Sequence, residues 1–314
     1  MSKKSLLKIF LLTPLAGLVL AGSAFLINDY PQSIASFIST GIHENDSQKN
    51  PAQTPSIDKT QLRQLVAEEI QNQLLASRPA ALTSSTALHM LETTVKVERL
   101  GGGSGSGVPV FENQIGEQFY TYIITNAHVV SDEEEVRISR FHYKNHARVE
   151  STTVYPGRVI LVEPAFDLAL VELQTNESIG QMASFISTSL SQELALTQQI
   201  FVSSCPLGSP PLVTSGRVAS IEDTLTVITA FSIFGSSGSG AYNIDGNLVG
   251  IVKAIVRVRL DKNHVIPEPN LTHIVPLPVV ISWLLVKDHG FIVGEGTSHE
   301  DFILARSLSE IRPR

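Results

Sequence analysis

Three short stretches place a reactive side chain beside an apolar run or a tight turn. In YIITNAHVV, residues 122–130, His128 follows an apolar strand pattern; in FDLALVEL, residues 166–173, Asp167 opens an alternating run; in FGSSGSG, residues 234–240, Ser237 sits among glycines and serines. Serine is a poor nucleophile at neutral pH. It needs a base to take its proton, a carboxylate to hold that base in one tautomer, and backbone N–H donors where an oxyanion develops. An imidazole, a carboxylate and a hydroxyl are the right types for such an attack on a carbonyl, provided the fold joins residues 128, 167 and 237. Gly235 permits a backbone that turns the N–H groups of residues 235 and 237 toward a common point, and Gly238 lets the chain pack closely behind. Singly, the His reads as a half-buried structural residue and the Asp as a turn residue. The combination is what carries chemistry.

The elements that must position these residues are short. From about Thr86 the chain runs in segments dense in Val, Ile, Thr and Phe, separated by Gly, Pro, Asn and Asp. Strands are expected over residues 119–124, 136–140, 159–162, 168–173, 200–203, 217–221, 224–229 and 248–259, a spacing that implies an antiparallel sandwich or barrel pair. Residues 278–286, PVVISWLLV, read as a helix on the β core, and the residues after Lys287 as too few for another ordinary domain. The loop holding His142 and His146 reads as surface, without a third metal ligand. Cys205 reads as a small buried side chain.

Composition bounds the rest. The 314 residues are 43% hydrophobic, enough for a substantial core. With 23 Lys+Arg against 30 Asp+Glu the net charge is −7, which offers nucleic acid no broad electrostatic footprint. A single cysteine excludes an internal disulfide and a multi-cysteine zinc site.

At the amino terminus, Lys3, Lys4 and Lys8 precede an uncharged stretch from Ile9 to Ile27. As a helix it is roughly 28 Å long, close to a bilayer's hydrocarbon thickness. Residues 1–28 are therefore expected to be an uncleaved membrane anchor that exports the rest of the chain, the rival being a signal peptide cut near Gly22-Ser23-Ala24, which leaves a secreted protein. Residues 29–57 read as a flexible linker. Residues 58–78 place Leu62, Val66, Ile70 and Leu74 on one face of an amphipathic helix, for packing on its own domain or for homo-oligomerisation.

TNAHVV, DLALVEL and GSSGSG, in this order, resemble the His, Asp and Ser motifs of chymotrypsin-fold (trypsin-like) serine proteases, most closely the high-temperature-requirement (HtrA/Deg) group. GSGSGV (103–108), SGRVASIE (215–222), DGNLVGIVKAI (245–255) and HIVPLPVVISWLL (273–285) extend the resemblance over about residues 86–290. It implies an all-β fold of two six-stranded antiparallel β-barrels; with the C-terminal helix read above, the membrane and amphipathic helices precede it and a tail over residues 291–314 follows. It implies His128 as general base, Asp167 as its orienting group and Ser237 as nucleophile, with N–H groups of Gly235 and Ser237 as oxyanion hole. No metal and no cofactor are required.

Departures from the family pattern lie close to the site. Ser236 stands where Asn is usual in the HtrA group, Ser239 where a second Gly is usual, and Phe234 replaces a common Pro. Lys253 occupies a place that usually carries Ser or Thr supporting the catalytic aspartate, so it is expected either to pair with Asp167 or to point into the cleft toward an acidic substrate group. Phe231, Ile251, Val252 and Lys253 are the expected substrate-binding positions. Phe231 at the pocket base disfavours a basic residue there, and Val252 replaces the His of glutamyl-specific relatives, leaving a small or medium apolar preference. The stretch after residue 290 is too short for the family's usual PDZ domain. The expected function is a serine endopeptidase acting on unfolded or flexible polypeptides outside the cytoplasm. The alternative is a catalytically inactive chymotrypsin-fold peptide-binding protein.

Overall fold

The computed structural model describes residues 82–144, 148–185, 194–259 and 265–311. The expected anchor, linker and amphipathic helix lie outside them. Among the described residues no helix is long and apolar enough to cross a membrane.

A nine-residue helix, α1 (Ser84–Glu92), opens this part of the chain, with the Thr83 hydroxyl accepting from the Thr86 N–H at its start. Six strands come next: β1 (Val95–Arg99), β2 (Ser104–Ile115), β3 (Gln118–Thr125), β4 (Glu135–Lys144), β5 (Arg148–Glu163) and β6 (Leu168–Thr175). They close into a barrel in the order β1-β2-β3-β6-β5-β4. A short helical turn, α2 (Ala127–Val130), links β3 to β4. The second barrel is built from β7 (Gln199–Ser204), β8 (Leu212–Ile221), β9 (Thr226–Ile228), β10 (Gly240–Tyr242), β11 (Leu248–Arg259) and β12 (Val265–Pro276), in the order β10-β11-β12-β9-β8-β7. The chain ends in α3 (Leu277–Val286) and α4 (His299–Ile311).

Period-two burial explains why these sequences close. On β3 and β6, Ile123, Ala169, Val171 and Leu173 fill the first barrel together with Val95, Val97, Val136 and Ile138. The intervening residues Tyr122, Ile124, Leu168 and Leu170 face outward, yet they are equally buried, in a second cluster shared with Phe201, Tyr242, Leu248 and Ile251 of the other barrel and with Val280, Trp283 and Leu284 of α3. Both faces of these strands are covered, which is why LALVEL reads as a nearly continuous apolar run. The second barrel is filled by Ile200, Val202, Val218, Ile228, Val249, Val252 and Ile274. Each such fully buried aliphatic side chain contributes about 1.5–3 kcal/mol relative to exposure.

The structure departs from the sequence reading in particular places. β1, β10 and β12 were not among the expected strands, β2 was represented only by the GSGSGV likeness, and residues 224–229 shrink to the three-residue β9. His142 belongs to β4 instead of a surface loop, and its Nε2 lies 2.9 Å from the Thr153 hydroxyl. Residues 299–311 form a helix against the first barrel. Its anchor is Glu172, whose side chain is only 1% exposed. The Glu172 carboxylate accepts from Tyr122 Oη at 3.0 Å, Arg158 at 3.0 Å, Gln174 at 3.0 Å and Arg306 at 2.6 Å. Burial pushes this carboxyl up, but donation from Arg306, Gln174 and Arg158 outweighs it and holds the pKa below the usual range.

Candidate active site

His128 is delivered by the turn at the end of β3. Asn126 stays extended ahead of α2, and its side-chain Nδ2 donates to the Asp167 carbonyl at 2.8 Å. The His128 main-chain N–H donates to Asp167 Oδ1 at 3.0 Å, and His128 Nδ1 lies 2.8 Å from Asp167 Oδ2. Both carboxylate oxygens are thus committed to one histidine. Asp167 sits at the end of a tight turn just before β6 with φ of 60°, a left-handed conformation that Asp tolerates better than most residues. Its side chain is 15% exposed, whereas the His128 ring is 51% exposed, so the imidazole face opposite the carboxylate opens to solvent.

Ser237 lies in the β9–β10 loop of the second barrel and is half-buried. Its carbonyl accepts the Ser106 N–H from β2 of the first barrel at 2.8 Å. Gly238, at φ of 86°, presses against Ser106 O, Thr125 Oγ1 and Asn126 N, so any side chain there collides with the segment leading into His128. The structure therefore packs the serine loop against the segment that leads into His128. No hydrogen bond joins His128 to Ser237 among the described residues.

The main chain of this loop is held peptide by peptide. The Phe234 carbonyl accepts from the Leu207 N–H at 2.7 Å, and the Gly235 carbonyl from the Ser106 hydroxyl at 2.7 Å. The N–H of Ser236 donates to Ile233 O, that of Gly238 to Val252 O and that of Ser239 to Ser236 O. Within residues 235–239, only the N–H groups of Gly235 and Ser237 have no acceptor among the described residues. Buried main-chain donors are almost always paired, so two spared donors flanking one serine form an anion-receptive arrangement. Gly235, at φ of 94°, is required because a Cβ there meets Cys205 O and Leu207 N. Leu207 itself holds a left-handed conformation, φ 53° and ψ 26°, while 74% exposed.

The remaining expected positions divide. Phe231 is 44% exposed, and its carbonyl accepts from Thr214 Oγ1. The side chains of Ile251 and Val252 are buried in the two apolar clusters instead of lining an opening, and Val252 bonds the loop through its main chain. Lys253 is half-buried at a strand irregularity between Val252 and Ala254 and forms no ion pair with Asp167 among the described residues. Its charge acts on His273, whose pKa is lowered first by burial and then by Lys253. Cys205 is fully buried, and burial raises its thiol to about 12, so it is inert as a nucleophile. No group of metal-ligating side chains occurs among the described residues. A polar cleft of about 360 Å³ opens elsewhere, lined by Glu135, Arg158, Glu172, Gln174 and Arg306, and none of the expected site residues reaches it.

Sequence reasoning missed Ser106 and Leu207. Ser106 belongs to the GSGSGV stretch, which counted only toward the family resemblance, and both residues reach the site through bonds to distant parts of the chain.

Paired six-stranded antiparallel barrels with a His–Asp pair on one and a serine loop on the other define a class. Residues 103–251 match the trypsin-like peptidase domain family, and the chain is similar to serine proteases of the HtrA group. It is 28% identical over 145 residues to a probable periplasmic serine endoprotease DegP-like of Chlamydia pneumoniae, covering 43% of this chain and 27% of that protein. It is 30% identical over 145 residues to the mitochondrial serine protease HTRA2 of Bos taurus, covering 41% of this chain and 28% of the relative. The match thus spans little more than a quarter of either relative's length. Among solved structures, the serine endoprotease from Yersinia pestis superposes with a TM-score of 0.49 at 16% identity, covering 69% of each chain.

Proposed function

We propose that this chain is a serine endopeptidase in which His128 takes the proton of Ser237, Asp167 orients the imidazole, and the Gly235 and Ser237 N–H groups receive the oxyanion of the tetrahedral intermediate. The single observation that carries the reading is that, within residues 235–239, the N–H groups of Ser236, Gly238 and Ser239 are bonded inside the protein while those of Gly235 and Ser237 have no acceptor among the described residues, and both Asp167 oxygens bind His128. Attack by Ser237 gives an acyl-enzyme as the amine leaves with a proton from His128. Water, deprotonated by the same imidazole, then releases the acid.

The substrates are unfolded or flexible polypeptides, since a peptide bond reaches such a cleft only in an extended segment that pairs with a strand edge. Residues 86–290 are the catalytic unit, residues 1–28 anchor it to a membrane, residues 29–57 tether it, and residues 58–78 supply a helix for packing or self-association. An extracytoplasmic site of action agrees with the periplasmic name of a relative and with the lysine-flanked apolar amino terminus. Phe231 and Lys253 are the side chains that set preference, with Ile251 and Val252 contributing main chain.

One observation favours the second reading, a catalytically silent peptide-binding protein: His128 and Ser237 are not hydrogen-bonded. Such bonds are often long before substrate arrives and tighten only in the complex. The test is digestion of unfolded casein by the full chain beside Ser237→Ala. The peptidase reading expects a loss of roughly a millionfold in the variant. Equal digestion by both removes Ser237 from the mechanism.

A further inference from the structure

We infer, on the peptidase reading above, that Ser106 is a positioning residue for catalysis: a hydroxyl and an amide on the first barrel that fix the serine loop of the second and so aim its two spared N–H groups.

Ser106 lies on β2 and is fully buried. Its hydroxyl donates to the Gly235 carbonyl at 2.7 Å and accepts the Cys205 N–H at 2.8 Å. Its own N–H donates to the Ser237 carbonyl at 2.8 Å, and its carbonyl accepts from Thr125 Oγ1 at 2.7 Å, three residues before His128. One residue therefore touches the loop on both sides of Ser236, binds the segment that carries Leu207, and is tied to the strand that delivers the histidine.

Peptide planarity gives these contacts a consequence. A carbonyl held at one atom fixes the plane of its peptide and hence the dihedral angles open to its neighbours. The donors that matter belong to the 234–235 and 236–237 peptides. The two carbonyls held by Ser106 belong to the 235–236 and 237–238 peptides, which alternate with them. The Gly235 carbonyl and the Ser236 N–H belong to one peptide, which lies between the two donors and is held by Ser106 on one side and by the Ile233 carbonyl on the other. Losing the Ser106 bond leaves that peptide held at one end only, and Gly235, at φ of 94°, offers little resistance to its rotation. The relative direction of the Gly235 and Ser237 N–H groups then loosens even though Ser106 never touches substrate. A merely structural buried serine predicts something different, a stability loss with unchanged chemistry.

The experiment compares full-length wild type with Ser106→Ala, Ser106→Cys and Ser106→Thr, each checked for a cooperative thermal transition. Two rates are read: steady-state hydrolysis of labelled casein, and phosphonylation by a fluorophosphonate probe, whose developing oxyanion needs the same donors. Ser106→Ala is expected to lower kcat and the phosphonylation rate about ten- to a hundredfold, with KM changed less than about twofold. Ser106→Thr keeps the hydroxyl and is expected to recover most of the rate. Ser106→Cys, similar in shape but a weak donor, is expected to fall between. A folded Ser106→Ala protein with wild-type kcat and labelling overturns the role of Ser106 and leaves the peptidase reading standing. If the Ala variant does not fold, wild-type kcat in folded Ser106→Cys overturns it equally. A wild type that neither digests casein nor takes the probe defeats the peptidase reading itself, and the role of Ser106 with it.

Discussion

The two barrels trace one strand path twice, β1-β2-β3-β6-β5-β4 and, read from its other end, β7-β8-β9-β12-β11-β10. They nevertheless hold their shares of the site by opposite means. In the first, His128 and Asp167 sit at the ends of β3 and β6, which pair without interruption from Phe119↔Thr175 to Thr125↔Ala169. The pair is fixed by its own sheet. In the second, Ser237 lies between two strands of only three residues, β9 and β10, and its loop takes its shape from Ser106 of the other barrel, from Leu207 and from Val252. Long, regular strands supply the orienting half. A short-stranded loop, held from outside, supplies the half proposed to react.

That contrast is sharpest when the first-barrel half is changed alone. Asp167→Asn is expected to lower casein turnover by about 10⁴-fold while leaving the urea midpoint nearly unchanged, because the sheet and not the carboxylate holds the turn. Unfolding in step with lost activity breaks the contrast. Next in size is Glu172→Ala, which removes the buried carboxylate beneath α4 that accepts from Tyr122, Arg158, Gln174 and Arg306. A loss of about 3–5 kcal/mol in urea unfolding is expected, and a loss below about 1 kcal/mol contradicts the role given to this network.

Acid probes the same region. His299 Nε2 meets Tyr122 Oη at 2.9 Å and Nδ1 lies 3.3 Å from Asn113 Nδ2, with Glu172, Arg306 and His289 around it. Burial, with smaller contributions from Arg306 and His289 against Glu172, lowers its pKa to about 4. A folded-state pKa below the unfolded value of about 6.5 means that protons bind the unfolded chain better. Stability is then full above that value and falls as pH drops toward 4, with the depressed Glu172 carboxyl extending the loss below. The thermal midpoint is expected to decline between pH 7 and pH 4.5, less steeply in His299→Asn; a flat profile contradicts it. The smallest effect is expected from Lys253→Thr, within about 0.5 kcal/mol in stability but with a measurable change in casein kinetics. No kinetic change removes Lys253 from the site.

Much of the first barrel was legible because β3 and β6 are dense in apolar residues buried on both faces and the turns beside them carry His128 and Asp167. The strand β12 was not, because Pro267, Pro269 and Asn270 interrupt its alternation, and the register shifts twice along its partner β11. The helix α4 escaped because polar groups, His299 and Arg306, do much of its anchoring, while Leu304 and Leu308 stay exposed and blur any apolar stripe. Among the candidate site residues, side-chain chemistry pointed to His128, Asp167 and Ser237. Ser106 was silent because its bond to Gly235 spans 129 positions, and no local pattern encodes such a contact.

The most direct measurement is the site of covalent capture. Full-length protein treated with a fluorophosphonate and mapped by peptide mass spectrometry is predicted to carry one adduct, on Ser237, which disappears in His128→Ala while the fold persists. An adduct on another residue, or none in folded wild-type protein, contradicts the convergence of the two barrels on a single reactive serine.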